Sequence, residues 1–291
     1  MKFISTFIDG LSLGSVYALI ALGYTMVYGI AKMLNFAHGD IMMVGAYAAL
    51  LTLTKLYNNL ILAIVISMVV CLILGVVTEK IAYKPLRGAS PLAVLITAIG
   101  VSYLLQSIAQ LKFGATPEPI VMPAFKPFII GNLTIKGEAI ITLIVSAALM
   151  AGLNFFVSKT KTGRSMLAVS EDKNAAKLMG ININGTITLT FAIGSALAAV
   201  ASAFYLMMTP VVQPTLGSMP GIKAFVAAVL GGIGSIPGAM VGGLILGVIE
   251  QYTLSFSFLS PYTDAIVFSI LIIVLLIKPT GLFGKQRIEK V

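Results

Sequence analysis

The chain has 291 residues, 58% hydrophobic and 10% charged, with a mean hydropathy of +1.04. A soluble domain carries about 25% charged residues, so this composition excludes one and points to a membrane protein. Its 19 Lys and Arg against 10 Asp and Glu give a net charge of +9, which would suit nucleic acid only if the basic residues were not gathered at the ends of apolar stretches.

Apolar stretches long enough to cross a bilayer, which takes about 20 helical residues, recur at 5–30, 41–56, 60–78, 92–111, 139–157, 185–208 and 262–277, with a glycine-rich region at 221–256. The expected fold is an all-α, polytopic transmembrane helical bundle of about eight spans with one or more re-entrant or broken helices, because a membrane β-barrel would show short alternating segments instead. The first stretch reads as a retained helix, since it runs past any small-residue cleavage site of a signal peptide. Between the first two lies "NFAHGD", Asn35 to Asp40, with the only histidine. Intramembrane ionisable residues are functional candidates, so His38 and Asp40 could relay protons in a secondary carrier. The favoured reading makes this a turn or pathway-shaping element, with Asp40 capping the next helix and Asn35 and Gly39 shaping the chain. Cys71, the single cysteine, falls inside an apolar stretch and leaves neither a disulfide framework nor a metal cluster available.

Lys80, Lys84 and Arg87 form one basic group. Lys159, Lys161, Arg164, Lys173 and Lys177 form a second, and Lys278, Lys285, Arg287 and Lys290 a third. Each abuts the end of an apolar stretch, as the positive-inside rule requires of cytoplasmic segments. That assignment puts the C-terminus inside and makes the Pro-rich "TPEPIVMPAFKPF" extracytoplasmic. It leaves the 221–256 region as two short crossings or a re-entrant excursion, and leaves the side of the N-terminus open.

Within the loop at about 158–184, "SEDKNAAKLMGIN" reads as a short helix finished at both ends. Ser170 serves as N-cap, Glu171 and Asp172 sit at the positive end of the helix dipole and Lys177 near the other, and Gly180 takes the left-handed position after the last turn. About nine residues, roughly 14 Å, cannot cross a bilayer. Its face of Ala175, Ala176, Leu178 and Met179 suits docking to a partner protein better than lying on lipid. In "GGIGSIPGAMVGGLILG", Gly234, Gly238 and Gly242 recur at the spacing that lets membrane helices approach closely, and Pro237 interrupts the run. Asp9 and Asp264 read as dipole caps, and Lys223 and Glu250 as markers of the glycine-rich region's ends.

These segments carry a resemblance. "SEDKNAAKLMGIN" followed by "FAIGSALAAVASAFY" resembles the coupling loop of ABC-importer permeases. "GLSLGSVYALIALGYTMVYGIAKMLNFAHGDIMMVGAY", "GGIGSIPGAMVGG" and "KPTGLFG" resemble the branched-chain amino-acid branch, nearly over the full length. The resemblance implies a single permease domain over 1–291 in a bacterial inner membrane, paired with a homologous permease. It also implies two cytoplasmic ATPase subunits using ATP and Mg, a periplasmic substrate-binding protein, and no cofactor in this chain. It assigns the ATPase contact to Ser170, Glu171, Asp172, Lys173, Ala176, Lys177, Met179 and Gly180, and makes Asn35, His38, Gly39 and Asp40 pathway residues. The chain itself has no G-x-x-x-x-G-K-[ST] phosphate loop, so energy must arrive from elsewhere. The runner-up is a proton-coupled carrier using His38 and Asp40. An intramembrane enzyme ranks third, because no Ser/His, HExxH or paired-aspartate constellation lies in the spans.

Overall fold

The computed structural model describes residues 2–123, 125–130 and 133–284; Lys285, Arg287 and Lys290 of the terminal basic group lie outside them. Eleven α-helices carry these residues: α1 (Lys2–Ala31), α2 (His38–Leu51), α3 (Leu60–Thr78), α4 (Pro91–Phe113), α5 (Gly137–Lys159), α6 (Lys161–Glu171), α7 (Lys173–Leu178), α8 (Ile183–Met208), α9 (Ser218–Gly231), α10 (Ile236–Ser255) and α11 (Thr263–Ile277). Their starts follow local chemistry. Asn59 Oδ1 accepts from Ile61 and Leu62 N–H to open α3, and Ser90 does the same for Ala93 ahead of Pro91, a residue that needs no donor there. Among the described residues the loops after α4 and α8 hold only short strands: β1 (Glu118–Pro119), β2 (Phe128–Ile130), β3 (Leu133–Ile135) and β4 (Val211–Val212), with β1 paired antiparallel to β4 and β2 to β3.

Seven helical segments are long and apolar enough to cross a membrane: α1, α2 with its π-helical extension Thr52–Leu56, α3 with the turns that prolong it to Leu86, α4, α5, α8, and α11 with its preceding turn. The glycine-rich region resolves into two unequal parts. The 20 residues of α10 span about 30 Å, whereas the 14 of α9 reach only about 21 Å. α9 is therefore too short to cross a bilayer by itself. Pro237 does not break a helix; it sits in the first turn of α10, whose N-cap Ser235 accepts from Gly238 N–H.

The most buried span is α8, at 78%, and the most exposed is α11, at 11%. α1, α2 and α8 thus form the core, while α3, α4, α5 and α11 surround it with large apolar side chains such as Ile61, Ile96, Ile144 and Leu276 facing outward. α10 lies along α1 with almost no side chain between them. A Cβ on Gly14 would stand 2.7 Å from Leu244 Cα and one on Gly243 2.5 Å from Ala18 Cα, so van der Waals packing of backbones holds this pair. Gly238 and Gly242 do the same toward α9, where a Cβ on Gly242 would stand 2.9 Å from Gly231 N. Gly234 does not: it lies in the α9–α10 turn at φ +93°, a conformation glycine adopts without strain.

One side of the bundle gathers the basic groups. There Lys173 Nζ donates to Ala31 O at 3.0 Å, Arg87 reaches Asn184, Gly234 meets Gly29, and Leu282 and Phe283 N–H donate to Leu230 and Gly231 O at the end of α9. The start of α1 lies on the opposite side, where the Tyr252 hydroxyl donates to Phe3 O at 3.0 Å. The break at 32–37 exists, yet α2 continues to the far side, so the first helix begins opposite the basic loops.

Candidate functional site

Two short-range breaks in the chain meet inside the bundle. After α1 the chain turns back and restarts as α2 at His38; after α8 it turns back and restarts as α9 at Ser218. The two restarts touch through glycine. A Cβ on Gly39 would fall within 3.0 Å of Gly217 O, and one on Gly217 would collide with Gly39 O, so the backbones themselves are in contact and α2 and α9 bring their N-terminal ends together at depth. Both ends carry partial positive charge, and Asp40 lies in the first turn of α2.

Asp40 is 2% exposed and sits deep in the bundle rather than at its edge. It caps nothing: the N-cap position of α2 is Ala37, which offers no side-chain bond. Instead Gln106 Nε2 on α4 donates to Asp40 Oδ1 at 2.9 Å and lies 3.2 Å from Ser218 Oγ at the start of α9. One glutamine thereby ties α4 to the starts of both α2 and α9. Gln106→Leu should cost about 1–3 kcal/mol through the buried carboxylate it leaves short of a donor, read as a lower unfolding temperature of the purified chain; an unchanged transition would contradict the network.

His38 faces elsewhere. Its ring donates to the Ile20 carbonyl, packs edge-on against Tyr24 at 5.0 Å between centroids, and occupies the space that a side chain at Gly23 would need. Its Nε2 has no hydrogen-bond partner. Two residues apart on one helix, His38 and Asp40 point in different directions, and each has its own partners, so no bonded relay joins them. Asn35 Oδ1 accepts from the Tyr83 hydroxyl at 2.7 Å, fixing the break to the end of α3.

The second element is the polar segment, and here the structure corrects the expected helix. Ser170 is not an N-cap. It lies in the last turn of α6, with its hydroxyl donating to Leu167 O, and Glu171 ends that helix. The cap is Asp172, whose Oδ1 accepts from Asn174 and Ala175 N–H at 2.7 and 3.1 Å. α7 is therefore only six residues long. It closes with Ile181 N–H donating to Ala176 O and Gly180 N–H to Lys177 O, Gly180 standing at φ +80°, the geometry of a Schellman end.

Ala176 is 3% exposed and faces the chain's own core, as does Lys173 through Ala31; burial first, then the nearby Arg87 charge, lowers the Lys173 pKa from the usual lysine value. The free face is Leu178, 89% exposed, and Met179, 81% exposed. α6, absent from the expected elements, braces this face by burying Gly163, Met166 and Val169 at three-residue intervals. That spacing was visible in the sequence. An open cavity of about 900 Å³ lies between α7, the end of α1 and the Arg87 turn. Arg87 is held there by Glu79, fully buried, which also accepts from Thr188 Oγ1 at 2.7 Å. Glu79, like the Lys223–Glu250 ion pair, was announced only by a charge inside a long helical segment.

The family model for the permease component of branched-chain amino acid transport systems matches residues 6–276. The chain is 43% identical to the high-affinity branched-chain amino acid transport system permease protein BraD of Pseudomonas aeruginosa, over 99% of this chain and 98% of that one. It is 42% identical to LivH of Escherichia coli K12, over 100% and 98%, and 33% identical to a probable branched-chain amino acid transport permease of Methanocaldococcus jannaschii, over 93% and 89%. These matches place the chain in the family of permease components of branched-chain amino acid ABC transport systems.

Proposed function

We propose that this chain and a homologous permease together form the pathway for leucine, isoleucine and valine across a bacterial inner membrane, with the basic side of the bundle and the C-terminus in the cytoplasm. An ABC permease is a multi-pass membrane protein without catalytic activity or cofactor of its own, and it works with ATPase and binding-protein partners. The proposed arrangement has two ATPase subunits on the basic side, using ATP and Mg, and a periplasmic binding protein on the other. The ATPase grips the segment Ser170 to Gly180, chiefly through Leu178 and Met179, with Glu171, Asp172 and Lys177 around them. Asn35, His38, Gly39 and Asp40 shape the pathway where α2 meets α9.

The observation that supports this reading best is the exposed Leu178–Met179 pair. A large apolar pair on a capped helix among basic residues is a docking surface awaiting a partner, and it stands on the side that the charge distribution turns inward. Leucine uptake into proteoliposomes holding the whole complex should need ATP inside, stop with vanadate and survive a protonophore. Uptake by this chain alone, abolished by the protonophore, would make it a carrier.

A further inference from the structure

The open cavity of about 900 Å³ lies where four membrane-crossing segments end or begin. α1 ends there at Ala31 and the prolonged α3 segment at Leu86, while α4 begins there at Pro91 and α8 at Ile183; all four residues line it. Its depth is therefore that of lipid headgroups.

The lining changes character across this level. One turn inward, toward the hydrocarbon, it is Tyr28, Val94 and Ile187, with Leu34 and Leu86 beside them. Outward it carries Lys32, Arg87, Lys173 and Lys177, and among the described residues no Asp or Glu lines it. Arg87 is already neutralised by Glu79. Lys173 is not: it gives one of its three N–H groups to Ala31 O, and burial followed by the Arg87 charge lowers its pKa, whereas a carboxylate partner would raise it. Lys177 stands exposed beside it. α4 and α8 both start at the cavity, which adds the positive ends of two helix dipoles.

Lysines with apolar surface one turn beneath them fit an amphiphile with an anionic head. Basic pockets between membrane helices take lipid phosphates in this way. A free branched-chain amino acid fits poorly, because its ammonium would face the same lysines.

We infer that this cavity binds an anionic phospholipid without an amine, of the phosphatidylglycerol class, with its phosphate on Lys173 and Lys177 and its first carbons against Tyr28, Leu34 and Leu86. The site requires only that the apolar helices lie in a bilayer, whichever protein grips α7.

The experiment uses the permease–ATPase complex in nanodiscs, carrying Ala89→Cys, an exposed position on the cavity wall; Cys71 is fully buried and stays silent. Labelling of this chain by an uncharged maleimide is followed by mass. Phosphatidylglycerol at roughly ten times its half-protecting fraction in phosphatidylcholine should slow labelling about tenfold. Phosphatidylethanolamine should not slow it. Thr162→Cys, exposed on α6 and outside the cavity, should label at nearly the same rate in all three lipids. Lys177→Gln, and Lys173→Gln, whose amide still offers a donor to Ala31 O, should each raise the half-protecting fraction about fivefold. Lys161→Gln, exposed but outside the cavity, should leave it unchanged. Absence of protection, equal slowing at positions 89 and 162, or equal shifts by all three lysine variants overturns the inference, the last two because they describe a merely basic surface. Slowing by inorganic phosphate in phosphatidylcholine discs, to which phosphatidylglycerol adds nothing, gives the lysines to a soluble anion and overturns it. So does slowing that comes and goes with the ATPase subunits and ignores the lipid, which would give them to a protein carboxylate.

Discussion

Gly39→Ala is expected to abolish leucine uptake and to destabilise the purified chain by about 3 kcal/mol, the upper part of the range for overpacking a buried contact. The reason is what the new methyl would strike. A Cβ at this position meets Gly217 O and Gly221 Cα, both backbone atoms, so no side chain can rotate away and α2 and α9 must part. Parting them also pulls Ser218 from Gln106 and disturbs the partner of Asp40. Gly100→Ala on α4 is the matched control, because a methyl there meets nothing within 4 Å; its effect should stay within about 0.5 kcal/mol. Equal melting curves for the two variants would show that the α2–α9 contact has room to yield.

The second large effect is expected at the opposite kind of site, one that supports nothing in the isolated chain. Leu178→Asp with Met179→Asp changes two side chains that are 89% and 81% exposed, so folding and membrane insertion should be unaffected. Docking should not survive. Burying a Leu or Met side chain is worth about 1.5–3 kcal/mol, so losing both removes at least about 3 kcal/mol, a factor of roughly 100 in affinity, before the cost of burying two carboxylates. ATPase subunits should no longer copurify with the permease, and uptake should vanish. Copurification at parental yield would move the contact away from α7. Reversing charge at Asp172 would be a poorer test, because that residue holds the first turn of α7 by two hydrogen bonds and its loss melts the element under study.

How far the sequence led depends on how local each signal was. Long apolar helices were legible because twenty residues of hydropathy report on their own: α3 begins at 60 as expected and α4 at 91 instead of 92, behind the caps Asn59 and Ser90, whereas the start of α10 behind Ser235 lay inside a region left undivided. The polar segment was placed correctly and subdivided wrongly. Ser170, Glu171 and Asp172 are adjacent, and both Ser170 and Asp172 can cap a helix; which one does so is decided by α6 packing Met166 and Val169 into the core, a tertiary fact. The pairing of Lys223 with Glu250 and Asp264, 27 and 41 positions away, has no local signature at all. Neither has the contact of Gly39 with Gly217, which depends on two chain reversals meeting in space.

The direction in which α7 faces decides the whole account, and a cysteine at Met179 reads it directly. With Cys71 buried and silent, Met179→Cys should resist a membrane-impermeant maleimide applied to the outside of intact cells, react in inside-out vesicles stripped of ATPase, and become protected when the ATPase subunits are added back. Labelling from the outside of intact cells, or reactivity in stripped vesicles that the ATPase leaves unchanged, would contradict it.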